Sequence, residues 1–263
     1  MRNTRHAGDY GYDAPYALVA FAGVAAAAAA AAVAAHLAHN PGLFRMAAAY
    51  TAFFGASAAS FYYTTRHGKF HEWEQILDSL SLRGDAQVLD MGCGRGAVLT
   101  SVAKRLTTGR AIGVDLWRST DQSGNAPEAA MANATVEGVA DRVLLETGDM
   151  RTLPFVDESF DVVVSSLAIH NIPGREGRAA AVRESMRVLR PGGRIAIADI
   201  RTTRLYADTL ASLGATHVQR RRLGWRFWWG NPIAATTLVT ATKLPSKVPS
   251  NPINELEFFP PGR

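Results

Sequence analysis

Asp90 stands two residues before Gly92, the first of three glycines in "GCGRG" (Gly92, Gly94, Gly96). Asp115 follows nineteen residues after Gly96, and Asp149 sits in "GDM" beside Met150. Glycine at every second position weakens a chain unless its backbone must turn tightly or be approached closely. A carboxylate just before such a loop suits a cationic amino group and is a poor neighbour for a pyrophosphate. An acid at the position of Asp115 can accept both hydroxyls of a ribose. Asp149 could reach the exocyclic amine of an adenine, with Met150 packed on the ring. Taken singly, each residue reads equally well as a cap or turn residue. Three carboxylates at the ends of successive strands are harder to obtain by accident.

Those ends exist only if the chain alternates strand and helix, and its hydrophobic pattern does so. Short apolar runs at 87–91, 110–116, 142–149, 160–167 and 193–200 read as buried strands. Between them, 96–106, 126–138 and about 175–190 show helical spacing, with Asn125 as an N-cap and Pro127 in the first turn of the second. A further helix at 69–82 precedes the first strand. This order predicts an α/β, doubly wound, mostly parallel sheet covered by helices on both faces. A ligand with adenine, ribose and an amino-acid ammonium but no phosphate fits the acidic positions. S-adenosylmethionine has those parts; a nicotinamide dinucleotide fits less well beside Asp90.

"VLDMGCGRG", "GVDL", "GDMRTLPF", "FDVVVSSLAIHNI" and "RVLRPGGRIAIADI" together resemble the ordered motifs of class I S-adenosylmethionine-dependent methyltransferases. The flavour is similar to the ubiquinone/menaquinone-biosynthesis C-methyltransferases and related small-molecule enzymes. The resemblance covers roughly residues 85–200. It implies a Rossmann-like seven-stranded sheet whose last strand is antiparallel, with 215–223 and 234–243 supplying the final hairpin. It also implies a cofactor site lined by Asp90, Gly92, Cys93, Gly94, Asp115, Leu116, Asp149, Met150 and Ser165.

Methyl transfer from a sulfonium needs positioning more than acid–base chemistry. A base matters only for an acceptor that is protonated in its reactive form. His170, after the fourth strand, is the first candidate for a base or substrate contact, and reads also as a structural histidine in a turn. Asp199 is a second candidate. His67 and His71 lie where a helix could lid the site, and Lys69 faces either the cofactor's carboxylate or solvent. "GWRFWWGNP" (224–232) concentrates Trp225, Trp228 and Trp229. These rings read as walls of an acceptor pocket, as ordinary hairpin packing, or as a membrane-interface contact.

The N-terminal part is of another kind. Residues 15–38 and 46–63 carry no Asp, Glu, Lys or Arg and flank a Pro41–Gly42 break, so they read as a membrane-spanning helical hairpin, with an Ala-rich pair packed on the domain and a cleaved signal peptide as the alternatives. Gly55 and Ala59 would let its helices approach closely. Arg2, Arg5, Arg66 and Lys69 lie outside the hairpin and Arg45 alone lies within it, which places both ends in the cytoplasm. The division expected is 1–64 hairpin, 65–243 methyltransferase domain and 244–263 proline-rich tail. A formal net charge of +5 fits an acid-poor or membrane-facing surface, and the chain shows no nucleic-acid-binding signature. Its one cysteine, Cys93, excludes a disulfide within the chain and a zinc site built on several thiolates; no metal is expected. The expected activity is methyl transfer to a small or lipophilic acceptor at a membrane. The rivals are an NAD(P)-dependent oxidoreductase and a non-catalytic S-adenosylmethionine-binding membrane protein.

Overall fold

Strand parity builds the core. In β1 (Gln87–Met91), Val88 faces one side of the sheet while Leu89 and Met91 face the other. β2 (Arg110–Asp115), β3 (Val143–Thr147), β4 (Phe160–Ser166) and β5 (Leu189–Asp199) run parallel to it. β6 (Thr216–Arg222) and β7 (Thr237–Thr242) close the sheet in the order β3-β2-β1-β4-β5-β7-β6, with β7 antiparallel to both neighbours. The seven-stranded, doubly wound sheet is thus as the motifs implied. The computed structural model describes residues 6–245 of the 263; the expected tail 244–263 lies almost wholly outside the described residues.

Two apolar layers sandwich the sheet. One joins α3 (Lys69–Leu80), α4 (Ala97–Ala103) and α5 (Pro127–Val136) to Val88, Ala111, Val162 and Ala196. The other joins α6 (Arg175–Val188) and α7 (Thr203–Ser212) to Leu89, Ile112, Val163 and Ile195. Strands buried on both faces need near-continuous apolar runs, and these strands have them. Asn125 does not cap α5. Its buried amide turns inward and donates to Asp115 Oδ1 at 3.3 Å, and Ala126 takes the cap position with no side-chain bond.

Helices α1 (Pro15–Leu37) and α2 (Pro41–Tyr63) pack on each other as a hairpin. Only Ala35 of α1 is buried, and Val19, Val33, Leu37, Tyr50 and Phe53 are largely exposed. Of the described helices α1 alone is long and apolar enough to cross a membrane. α2 carries Arg45, an expensive group among its apolar neighbours. Gly55 is not a close-approach point, because a Cβ there would meet nothing within 4 Å.

The hairpin meets the domain only at its feet. Phe61 packs edge-on against Trp229 with ring centroids 5.1 Å apart, and Phe21 belongs to the same apolar layer. The chain then leaves α2 through a π-helical turn, Thr64–Gly68. A Cβ on Gly68 would lie 1.8 Å from the Arg226 carbonyl oxygen, so only glycine allows the two backbones to touch.

Candidate active site

The carboxyl ends of β1, β2 and β4 open into a cleft. Doubly wound sheets bind their ligands at this edge, where connections depart to opposite faces of the sheet. Asp90, Gly92, Cys93, Gly94, Asp115, Leu116, Asp149, Met150 and Lys69 all line it. Gly92 turns the chain out of β1 with φ +74°, and a Cβ there would lie 2.1 Å from the Ala168 Cβ. Its N–H donates to the Val114 carbonyl at 2.8 Å, which ties the loop to β2.

Asp115 is held by three donors. The Gly94 N–H reaches Oδ2 at 2.9 Å, while the Trp117 N–H at 2.7 Å and the Asn125 amide reach Oδ1. Asp90 is the opposite case. It is 1 % exposed, and neither carboxylate oxygen has a hydrogen-bond partner. Burial first, and the Asp115 charge second, push its carboxyl up to about 8. An unpartnered buried carboxylate is costly unless a cation meets it. An ammonium group would supply the missing partner, and a pyrophosphate would add like charge. The residues therefore fit S-adenosylmethionine on donor chemistry alone: Asp90 for the ammonium, the glycine loop for close backbone approach, and Asp115 for the ribose.

Other expected residues are placed differently. Ser165 is fully buried and donates to the Met91 carbonyl at 2.8 Å; its neighbour Ser166 faces the cleft and accepts from Trp73 Nε1 at 2.8 Å. The Asp149 carboxylate is gripped by Arg151 at 2.5 Å, which holds it below the usual carboxylate range. His170 does not line the cleft. Its Nδ1 lies 2.7 Å from the wholly buried Asp199, which also accepts from the His170 backbone N–H and the Tyr206 hydroxyl. His170 is thus the structural histidine of the turn, and Asp199 is its anchor.

Trp225, Trp228 and Trp229 line no part of the cleft. Trp225 stacks on Tyr63 at 5.2 Å, Trp229 donates to Thr236 Oγ1 and packs on Phe61, and Trp228 accepts through its carbonyl from Thr64 at 2.6 Å. Their loop is the socket for the feet of the hairpin. His67 is exposed beside Tyr63, outside the cleft.

The sequence reading missed the N-terminal strap, residues 6–14. Tyr10 is buried, its hydroxyl donating to Glu137 at 2.9 Å and meeting Thr100 at 2.8 Å. Arg95, inside the glycine loop, turns away from the cleft to bind the Asp9 carbonyl and carboxylate and the Ser123 carbonyl. The strap ends at Asp13 on the cleft wall, where Lys69 donates to Asp13 Oδ2 at 2.5 Å. Thr65 donates to the same oxygen, and Gln122 donates to Oδ1. Lys69 is therefore neither a surface lysine nor an unpaired cation.

Residues 89–197 match the family model of the methyltransferase domain. This stretch is similar to methyltransferase domains. Over 127 residues the chain is 36 % identical to Methyltransferase GfsG of Streptomyces halstedii, covering 48 % of this chain and 42 % of that one. It is 35 % identical to a demethylmenaquinone methyltransferase of Lactiplantibacillus plantarum, covering 49 % and 51 %. The chain spans about half the length of the curated relatives it matches. A solved geranyl diphosphate methyltransferase in complex with SAM shares the fold, with TM-score 0.54 and 17 % identity over 66 % of this chain and 85 % of that one. So does the [4+2]-cyclase SpnF, with TM-score 0.56 and 17 % identity over 67 % and 82 %.

Proposed function

We propose that this methyltransferase domain transfers the methyl group of S-adenosylmethionine to a lipophilic small molecule, and that α1 and α2 hold it at a membrane with the domain on the cytoplasmic side. The observation that carries the transfer reading is the buried, unpartnered Asp90 facing the glycine loop, beside an Asp115 already oriented by three donors. When bound, the sulfonium supplies an activated methyl group for in-line displacement. Asp90 binds and neutralises the ammonium, and Asp115 orients the ribose. Phe70, Trp73, Leu167, Ala168, Ile172 and Pro173 line the rest of the cleft. Their role is to exclude water and hold a flat or apolar acceptor in line.

Lys69, the charged residue of that half, is already engaged with Asp13, and His170, outside the cleft, lies against Asp199. This supports an acceptor whose nucleophilic atom reacts without a strong protein base, such as a hydroquinone or an enol. The names of the relatives agree: one acts on demethylmenaquinone and another on 27-O-demethylrifamycin SV. Calorimetry is expected to show S-adenosylmethionine binding that Asp115→Ala weakens by about 1–3 kcal/mol, the cost of leaving its donors unpaired. Tritium-methyl transfer to a panel of hydroquinones and membrane extracts tests turnover. Unchanged affinity in the variant, or binding with no transfer to any acceptor, overturns the reading.

The tether rests on the apolar, outward-facing surfaces of the hairpin, whose one charged residue is Arg45 in the first turns of α2. Full-length protein is expected to stay in the membrane pellet after alkaline carbonate extraction. Release into the supernatant would make α1 and α2 a peripheral helical pair instead.

A further inference from the structure

The far half of the same sheet edge carries a second hollow, open to solvent. Arg201 enters it from the turn before α7, Arg204 from the first turn of α7, and Arg220 and Arg222 from alternate positions of the edge strand β6. The Arg220 guanidinium donates to Thr203 Oγ1 at 3.1 Å, and Arg222 donates to the Pro232 carbonyl at 3.4 Å. Among the described residues, none of the four has an acidic side chain within 4.0 Å. Elsewhere this protein pairs its arginines readily: Arg187 with Glu184 and Asp157, Arg105 with Glu74 and Asp78.

Charge on an edge strand guards against unwanted strand pairing. That accounts for arginines on β6. It does not account for two more converging on them from another element. Four unpaired guanidinium groups in one concavity match phosphate oxygens, which planar forks bind in pairs.

The position of the hollow favours a lipid source for that phosphate. Ile233, 89 % exposed, sits on its rim. Three residues earlier, Gly230 backs onto the hairpin, where a Cβ would meet Phe21 at 2.8 Å and the Ser57 carbonyl at 3.5 Å. Exposed Tyr16, Tyr62 and Trp225 surround those same feet, as aromatic rings do at a bilayer surface. We propose that this hollow docks on the phosphate groups of anionic lipids, so that the β6–α7 face of the domain lies on the bilayer from which the hairpin reaches inward. The inference deepens the tether reading above and rests on it for orientation.

Flotation of the full-length protein with phosphatidylcholine vesicles, and with vesicles also containing phosphatidylserine, tests it at low and high salt. Wild type is expected on both, and more tightly on the anionic vesicles. The double variant Arg220→Gln/Arg222→Gln is expected to lose about 30-fold of anionic binding, the effect of two basic groups at an anionic leaflet. High salt should mimic the variant. Cofactor affinity and binding to neutral vesicles should stay unchanged, showing an intact fold and hairpin. Equal partitioning of variant and wild type overturns the lipid site while leaving the tether standing. Binding to anionic vesicles alone, lost in the variant, sustains the site and removes the hairpin reading. Displacement by inorganic phosphate at low concentration assigns the hollow to a soluble anion and overturns the lipid proposal.

Discussion

Asp90→Asn is expected to weaken cofactor binding sharply and at the same time to stabilise the cofactor-free protein. The two effects share one cause. The carboxyl titrates near 8 in the folded state because it is buried without a partner, against about 3.9 in an unfolded chain. Between these values the folded state holds a proton that the unfolded state has released. Stability from this group therefore falls as pH rises from about 4 to 8, and the full penalty is present above that. Asparagine keeps the shape and removes the titration. Thermal unfolding without cofactor should show the variant above wild type at pH 8.5 by several degrees, at ~2–4 °C per kcal/mol for a chain of this size. The gap should narrow as the pH falls and close near pH 4. With S-adenosylmethionine the order reverses, because truncating one partner of a buried charge pair costs about 2–5 kcal/mol of binding. Below pH 8, wild type should also release a proton on binding, visible in calorimetry across buffers of different ionisation enthalpy. A variant less stable than wild type at pH 8.5, or one still stabilised by cofactor to the wild-type extent, would refute the assignment of Asp90.

The second large effect concerns Asp13. Its carboxylate accepts from Lys69, Thr65 and Gln122, and the Lys69 side chain is only 6 % exposed. Breaking a buried pair from one side leaves an uncompensated charge and costs about 3–5 kcal/mol. Asp13→Asn should therefore lower the Tm by roughly 6–20 °C at ~2–4 °C per kcal/mol. Adding Lys69→Met removes the stranded charge while keeping most of the apolar stem, so the double variant should recover most of the loss. A double-mutant cycle measures the coupling. Additive losses would show that the pair is incidental and that the strap is held by Tyr10 and Arg95 alone.

The strands and the glycine loop were legible because burial on both faces writes itself as apolar runs, and because Gly92 must be glycine whatever surrounds it. Ser165 was not, since the choice between it and Ser166 turns on strand parity at the end of β4. Asn125 preceded a proline-started helix and had every local mark of a cap, but a long-range bond to Asp115 outweighed the local one. The tryptophan loop misled for a related reason: aromatic rings serve a pocket wall and a packed socket equally, and only the hairpin feet decide which. The strap had no periodicity to read. Its long-range hydrogen bonds run to residues 52 to 129 positions away, and no local pattern announces them. Gly68 did carry a signal, a glycine within an otherwise helical run, whose explanation lay across the fold in the Arg226 carbonyl.

Asp13 and Lys69 bracket the hairpin, and one ion pair fastens the chain where it departs and where it returns. The intervening stretch is thus a closed loop as far as the domain is concerned. Lengthening such a loop is thermodynamically cheap, about 0.6 kcal/mol for each doubling, and the clasp itself is untouched. Reach and chemistry are uncoupled by this arrangement. Helical turns can be added to or removed from the far end of α1 and α2 without moving any atom that faces the cleft.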